Sequence, residues 1–179
     1  MTDYSLYKYT DKEIKELVKS MVILVDTREQ QAEHITRWLD TNKIVWESKK
    51  LEAGDYSCYL PAAPSMGIHR NIYFTDIVAI ERKASLNELS SNLTSDRNRI
   101  EDEFLRAKGK IYLLIENADY SYLVEHKYMG KYNPKAFIAT LSTFEARYGI
   151  QTVYMLNSLY SASFIYNTLA YHVRHYLKG

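Results

Sequence analysis

Ile80-Glu81-Arg82-Lys83 is the stretch on which the reading of this chain turns. It closes a strand-like segment, Tyr73 to Glu81, and is followed by Leu86, Leu89 and Leu93 at helical spacing. Side chains alternate along a strand, so Glu81 and Lys83 share one face while Arg82 points to the other. Upstream, Gly54-Asp55 opens an alternating run, Tyr56 to Leu60. Pro61, Pro64 and Gly67 punctuate the loop that follows, predicting a hairpin tip over about Pro61 to Arg70 with Tyr73 to Glu81 as its second arm. Such a hairpin places Asp55 and Glu81 at the ends of adjacent strands.

Outward from that hairpin, strands and helices alternate. Thr10-Asp11-Lys12-Glu13 is a capping-box pattern, followed by Ile14, Leu17, Val18 and Met21 at helical spacing. Met21 to Val25 is a continuous apolar run that stops at Asp26, as in a strand buried on both faces with a polar group at its carboxyl end. Ala32, Ile35, Trp38 and Leu39 predict a helix from Gln30 to about Asn42, and alternation returns from Val45 to Leu51. After a break near Ser95-Asp96, Ile100, Phe104 and Leu105 continue the helical repeat. Ile111 to Glu116 reads as a buried strand, Asp119 to Glu125 and Pro134 to Tyr148 as helices, and Gln151 to Met155 as a last strand. A long amphipathic helix, about Leu159 to Leu177, carries the apolar stripe Phe164, Ile165, Leu169, Val173 and Tyr176. The order predicts an α/β layer fold with a mixed sheet in a single domain spanning residues 1–179.

Composition removes several classes of function. A chain of 179 residues can bury one substantial core. The lone cysteine, Cys58, cannot form an internal disulfide and gives no cysteine metal site, which fits a reducing compartment. No apolar run approaches the ~18–20 residues needed to span a bilayer, and Met1 to Thr10 lacks the apolar stretch of a signal peptide. The expectation is a cytoplasmic protein with no membrane partner. A net charge of +1 argues against a uniformly basic domain and leaves local patches at Lys49-Lys50, Arg82-Lys83 and Arg97 to Lys110. The 17 tyrosines can stack on bases, but core and interface surface is their first reading. His34, His69, His126, His172 and His175 lack zinc-hydrolase spacing. The final-helix pair His172 and His175 reads as surface, and His69-Arg70 as a polar loop tip.

The acids and Lys83 suit one chemistry. Hydrolysis of a phosphodiester needs an activated water and compensation of charge on the phosphate, and a hard divalent cation supplies much of both. Mg²⁺ or Mn²⁺ takes oxygen ligands, often one or two carboxylates with waters and phosphate oxygens. Asp55 and Glu81 meet that need, Asp26 could join them, and Lys83 can reach the attacking water or a phosphate oxygen.

Val25-Asp26-Thr27-Arg28-Glu29, then Gly54-Asp55-Tyr56, then Ile80-Glu81-Arg82-Lys83 resembles the XPF-type nuclease family, a branch of the restriction-endonuclease-like PD-(D/E)XK superfamily. The motifs cover roughly Val22 to Ala107, and the order of elements agrees to about Tyr154. The resemblance implies a central mixed sheet flanked by helices and a DNA endonuclease acting on branched, flapped or junction DNA. It puts Asp26, Asp55 and Glu81 in a Mg²⁺ (or Mn²⁺) site, makes Lys83 catalytic, and gives Arg28, Glu29 and Arg82 supporting or phosphate-contacting roles. Pairing of related domains raises a homodimer as a possibility. Arg97 and Arg99 either track the DNA backbone or belong to a solvated face of helical pairs, Arg97-Glu101, Arg99-Glu103 and Asp102-Arg106.

Two departures stand out. The aspartate expected four residues after Lys83 is Asn87, an amide with no charge to offer a cation, and Glu88 beside it lies about 100° around a helix. Activity that is weak or absent, with the domain acting by DNA or protein binding, is the alternative this raises. After Tyr148 there is room for only a strand and a helix, not the helix-hairpin-helix module that family members often carry. The compact format fits a phage or mobile-element repair or recombination protein, which would act in the host cytoplasm.

Overall fold

The computed structural model describes residues 9–179. The stretch before Tyr9, most of the segment read as lacking a signal peptide, lies outside the described residues. Val22–Val25 form β1 with all four side chains buried, as an apolar run without alternation requires. Beside it on one edge runs the parallel β2, Trp46–Ser48, and on the other the antiparallel β3, Tyr56–Leu60. β3 leads to the antiparallel β5, Val78–Lys83, after which the parallel β6, Lys110–Glu116, and β7, Gln151–Met155, complete the order β2-β1-β3-β5-β6-β7. A two-residue β4, Ile72–Tyr73, pairs with β3 off this path.

Alternation along the strands assigns each face its own core. Tyr56, Cys58, Leu60, Val78, Ile80 and Leu114 pack with α1 (Asp11–Lys19), α2 (Glu33–Thr41) and α7 (Ser161–Lys178). Ala79, Ile111, Leu113 and Ile115 pack on the opposite face with α3 (Leu86–Ser95), α4 (Arg97–Arg106), α5 (Tyr120–Val124) and α6 (Pro134–Tyr148). Each fully buried Leu, Ile or Phe in these layers contributes about 1.5–3 kcal/mol over an exposed one. α1 begins with the expected capping box, Thr10 and Glu13 bonding each other's backbone N–H. Asp96 interrupts the helical repeat at φ −139°, separating α3 from α4.

Three elements differ from the sequence reading. β2 is only Trp46–Ser48, because the chain then leaves the edge of β1 to form the turn before Asp55. The second hairpin arm is broken: Phe74 is buried and bonds Cys58 O, and the N–H groups of Ile77 and Val78 fold back onto Phe74 O. β5 therefore starts afresh at Val78, and its ladder register with β3 is the pair Tyr56 and Ile80. The last helix starts at Ser161 after a 3₁₀ turn, Ser158–Tyr160. Many tyrosines serve the core and its rim. Tyr128 and Tyr132 set ring edges on Phe137, and Tyr148 lies against Phe104 and Phe144.

Candidate active site

Gly54 makes the geometry of Asp55 possible. Its φ is +72°, and a Cβ there would lie 3.0 Å from Ala79 Cβ and 3.1 Å from Ile80 O, so only glycine lets this turn sit against β5. The turn ties Asp55 into the sheet from both sides: its N–H bonds Ile80 O at 2.8 Å and its carbonyl accepts Asp26 N–H at 2.7 Å. Its side-chain Oδ2 accepts the backbone N–H of Arg82 at 2.8 Å. The aspartate is thereby fixed beside the residue that follows Glu81.

Glu81 and Lys83 emerge together, as strand alternation requires, with Lys83 Nζ 2.5 Å from Glu81 Oε1. Glu81 Oε2 is buried and bonds nothing. One lysine does not balance two buried acids. Burial, foremost, raises the Asp55 carboxyl to about 7. Burial and then the charge of Asp55 push Glu81 well above the usual range, against the pull of Lys83. Burial would take the proton from Lys83, but the charge and hydrogen bond of Glu81 raise its pKa and keep it an ammonium.

A cavity of about 300 Å³ opens over these groups, lined among others by Arg28, Glu88, Arg99, Glu103 and Arg106. Of the three helical pairs expected on α4, only Arg97-Glu101 forms, at 2.7 Å. Arg97 also lies over the Phe144 ring and is absent from the cavity wall. Arg99 reaches the cavity and forms no hydrogen bond or ion pair among the described residues. Arg106 Nε donates to Glu52 O rather than to Asp102. Glu103, which sequence reasoning assigned to a surface pair, instead turns inward, and its Oε1 accepts Gly54 N–H at 3.1 Å. The signal that could have found it is the one-turn spacing from Ile100, a buried residue on the same helix face. Asn87 points elsewhere, its Oδ1 accepting Met129 N–H at 2.7 Å. Glu88 caps Ala84 N–H at 2.8 Å.

Two sequence assignments change character in three dimensions. Arg82 is 6% exposed, and its guanidinium points to the face opposite Glu81, where it meets Glu116 at 2.8 Å and Glu29 at 3.3 Å. His34 Nε2 lies 2.8 Å from the other Glu116 oxygen. This guanidinium is an internal strut, buried and committed to those two carboxylates, although Arg82 and Glu29 also border the cavity. Asp26 is also buried, and its oxygens accept Arg28 N–H, Arg28 Nε and Nη2, and Leu51 N–H at 2.6–3.1 Å. Burial would raise its pKa, but the Arg28 and Leu51 bonds hold it below the usual carboxylate range. Asp26 does not line the cavity; it anchors Arg28, which does. His69 and Arg70 are exposed on a loop outside the cavity wall.

The donors that face the cavity suit a hard cation. Asp55 and Glu81 offer carboxylate oxygens in a site short of positive charge, and a cation or its water would satisfy the orphaned buried Glu81 Oε2. Among the described residues no three His, Cys, Asp or Glu side chains are gathered closely enough to cage an ion alone. Mg²⁺ completes such a set with waters and substrate phosphate.

The mixed sheet flanked by helices defines a protein of the XPF nuclease fold. Residues 25–168 match the ERCC4 domain, and the chain belongs to that family. It is similar to the structure of XPF from Aeropyrum pernix, with a TM-score of 0.60 and 17% identity over 86% of this chain and 65% of that one. It is also similar to XPF from Aeropyrum pernix in complex with DNA, with a TM-score of 0.57 and 17% identity over 84% and 63% of the two chains. The chain thus spans less than two thirds of the length of either structure. Comparison with curated proteins gives no match. Among the described residues no helix is long and apolar enough to cross a membrane.

Proposed function

We propose that this domain is a divalent-metal-dependent DNA endonuclease, with Asp55 and Glu81 holding Mg²⁺ or Mn²⁺ and Lys83 acting on the scissile phosphate. The observation that carries the reading is Glu81 Oε2, a buried carboxylate oxygen with no partner, beside Asp55 and Lys83 in an open cavity. A cation held there by Asp55 and Glu81 would supply charge compensation at the phosphate and activation of a water. Lys83 keeps its proton, so its role is to donate from Nζ to a phosphate oxygen as negative charge builds, rather than to act as a base. Arg82 N–H fixes the Asp55 carboxylate, and the unpaired Arg99 offers a guanidinium to the DNA backbone. Branched, flapped or junction DNA is the proposed substrate class, following the family resemblance.

The test is cleavage of a panel of flap, fork and junction duplexes with Mg²⁺ or Mn²⁺. Lys83→Ala is expected to lower the cleavage rate by about 10²–10⁴-fold while circular dichroism stays that of the parent. Cation binding and DNA binding without cutting on any substrate would replace this reading with that of a non-cleaving module.

A further inference from the structure

The position from which the sequence pattern expects one more carboxylate holds Asn87, and its side chain is committed to Met129 N–H, away from the cavity. A different element supplies an acid. Glu103, on α4, lines the same cavity as Asp55 and Glu81, and its charge is felt by both. One oxygen is engaged by Gly54 N–H at 3.1 Å, and the other takes no bond from any described residue. The hydrogen bond anchors the side chain to the very turn that places Asp55. No cation pairs with it directly: Arg28, across the cavity, feels its charge but is bonded to Asp26, Arg99, one turn back, forms no pair with it, and Arg106 is bonded to Glu52 O.

A third acid facing two buried, under-compensated acids raises the energy of the cation-free site. A purely structural side chain at this position could bond Gly54 N–H as a neutral amide without that repulsion. Retaining a carboxylate makes physical sense where a cation is bound. The orphaned Glu81 Oε2 is an independent sign of such a cation in the same cavity. We infer that Glu103 is the third carboxylate of the cation site, taking the place that Asn87 leaves and acting on the cation through its water shell. This rests on the reading of Asp55 and Glu81 as cation ligands.

The discriminating variant is Glu103→Gln, whose amide oxygen still accepts the Gly54 N–H. Mn²⁺ and Mg²⁺ binding to the full chain is measured by calorimetry, alongside the melting temperature in EDTA. The expected result is that Glu103→Gln weakens cation binding by about 10–100-fold, the range for outer-shell partners of a metal. Its melting temperature in EDTA is expected to equal or exceed that of the parent. Parent-like cation affinity in Glu103→Gln would overturn the role of Glu103 while leaving the Asp55 and Glu81 site intact. No binding of either cation to the parent would overturn both. If Glu103→Gln melts well below the parent in EDTA, with cation affinity unchanged, Glu103 is a brace for Gly54 only.

Discussion

Strand β5 separates two buried charge clusters that differ in one respect. On one face Arg82 is shared between Glu116 and Glu29, and His34 bonds the remaining Glu116 oxygen. Burial would raise the Glu116 pKa, yet its bonds, led by the one from Arg82, hold it below the usual range. On the other face Asp55 and Glu81 share Lys83, with Glu103 on the same cavity wall, and burial lifts the first two above that range. Consecutive residues of one strand thus serve a compensated cluster and an uncompensated one. Compensation makes a strut that joins β5, β6 and α2. Deficit of positive charge leaves a site that, on the proposed reading, would gain by taking up a cation.

The largest effect should come from breaking the compensated side. Arg82→Ala leaves Glu116 and Glu29 buried without their cation, and is expected to cost about 3–5 kcal/mol of stability. Glu81→Gln on the other face is expected to abolish cation-dependent cutting while leaving the melting temperature in EDTA unchanged or higher. Thermal unfolding of the two variants side by side checks the contrast; an equal loss of stability in both would erase it.

Acidity should separate the clusters next, in opposite directions. Between about pH 4 and pH 7 the folded chain holds a proton on Asp55 that the unfolded chain has released, so stability falls as pH rises through that window. The change is expected to be on the order of a few kcal/mol in EDTA, and Asp55→Asn should reduce it, the raised Glu81 carboxyl keeping a slope of the same sign. Glu116 has the opposite sign: its depressed pKa contributes stability at neutral pH that is lost as pH falls below the carboxylate range. Urea unfolding across pH 4 to 8, with and without Mg²⁺, measures both slopes.

The smallest effect concerns the rim of the cavity. Arg99→Ala is expected to weaken DNA binding for all sequences and to reduce the salt slope by about 1. Arg97→Ala should leave the slope unchanged, because its guanidinium is held by Glu101 and Phe144 away from the cavity. Fluorescence anisotropy at a series of salt concentrations distinguishes the two.

Much of this was legible in the chain. Apolar runs fixed β1 and β6, alternation put Glu81 with Lys83 and set Arg82 apart, and the Gly54-Asp55 pair marked the turn against β5. These are local consequences of backbone geometry, which residue spacing records. The tertiary structure decided what spacing does not carry: which acids keep free oxygens. Asp26 and Asp55 both adjoin strand ends in sequence, yet Arg28 and Leu51 occupy the first while the second faces the cavity. Glu103 and Arg99 read as one solvated pair because i,i+4 spacing permits it, but the packing of α4 against the turn at Gly54 turns both toward β5. The charge deficit around Glu81 is likewise a sum over groups from three elements, brought together by the fold and not by their order in the chain.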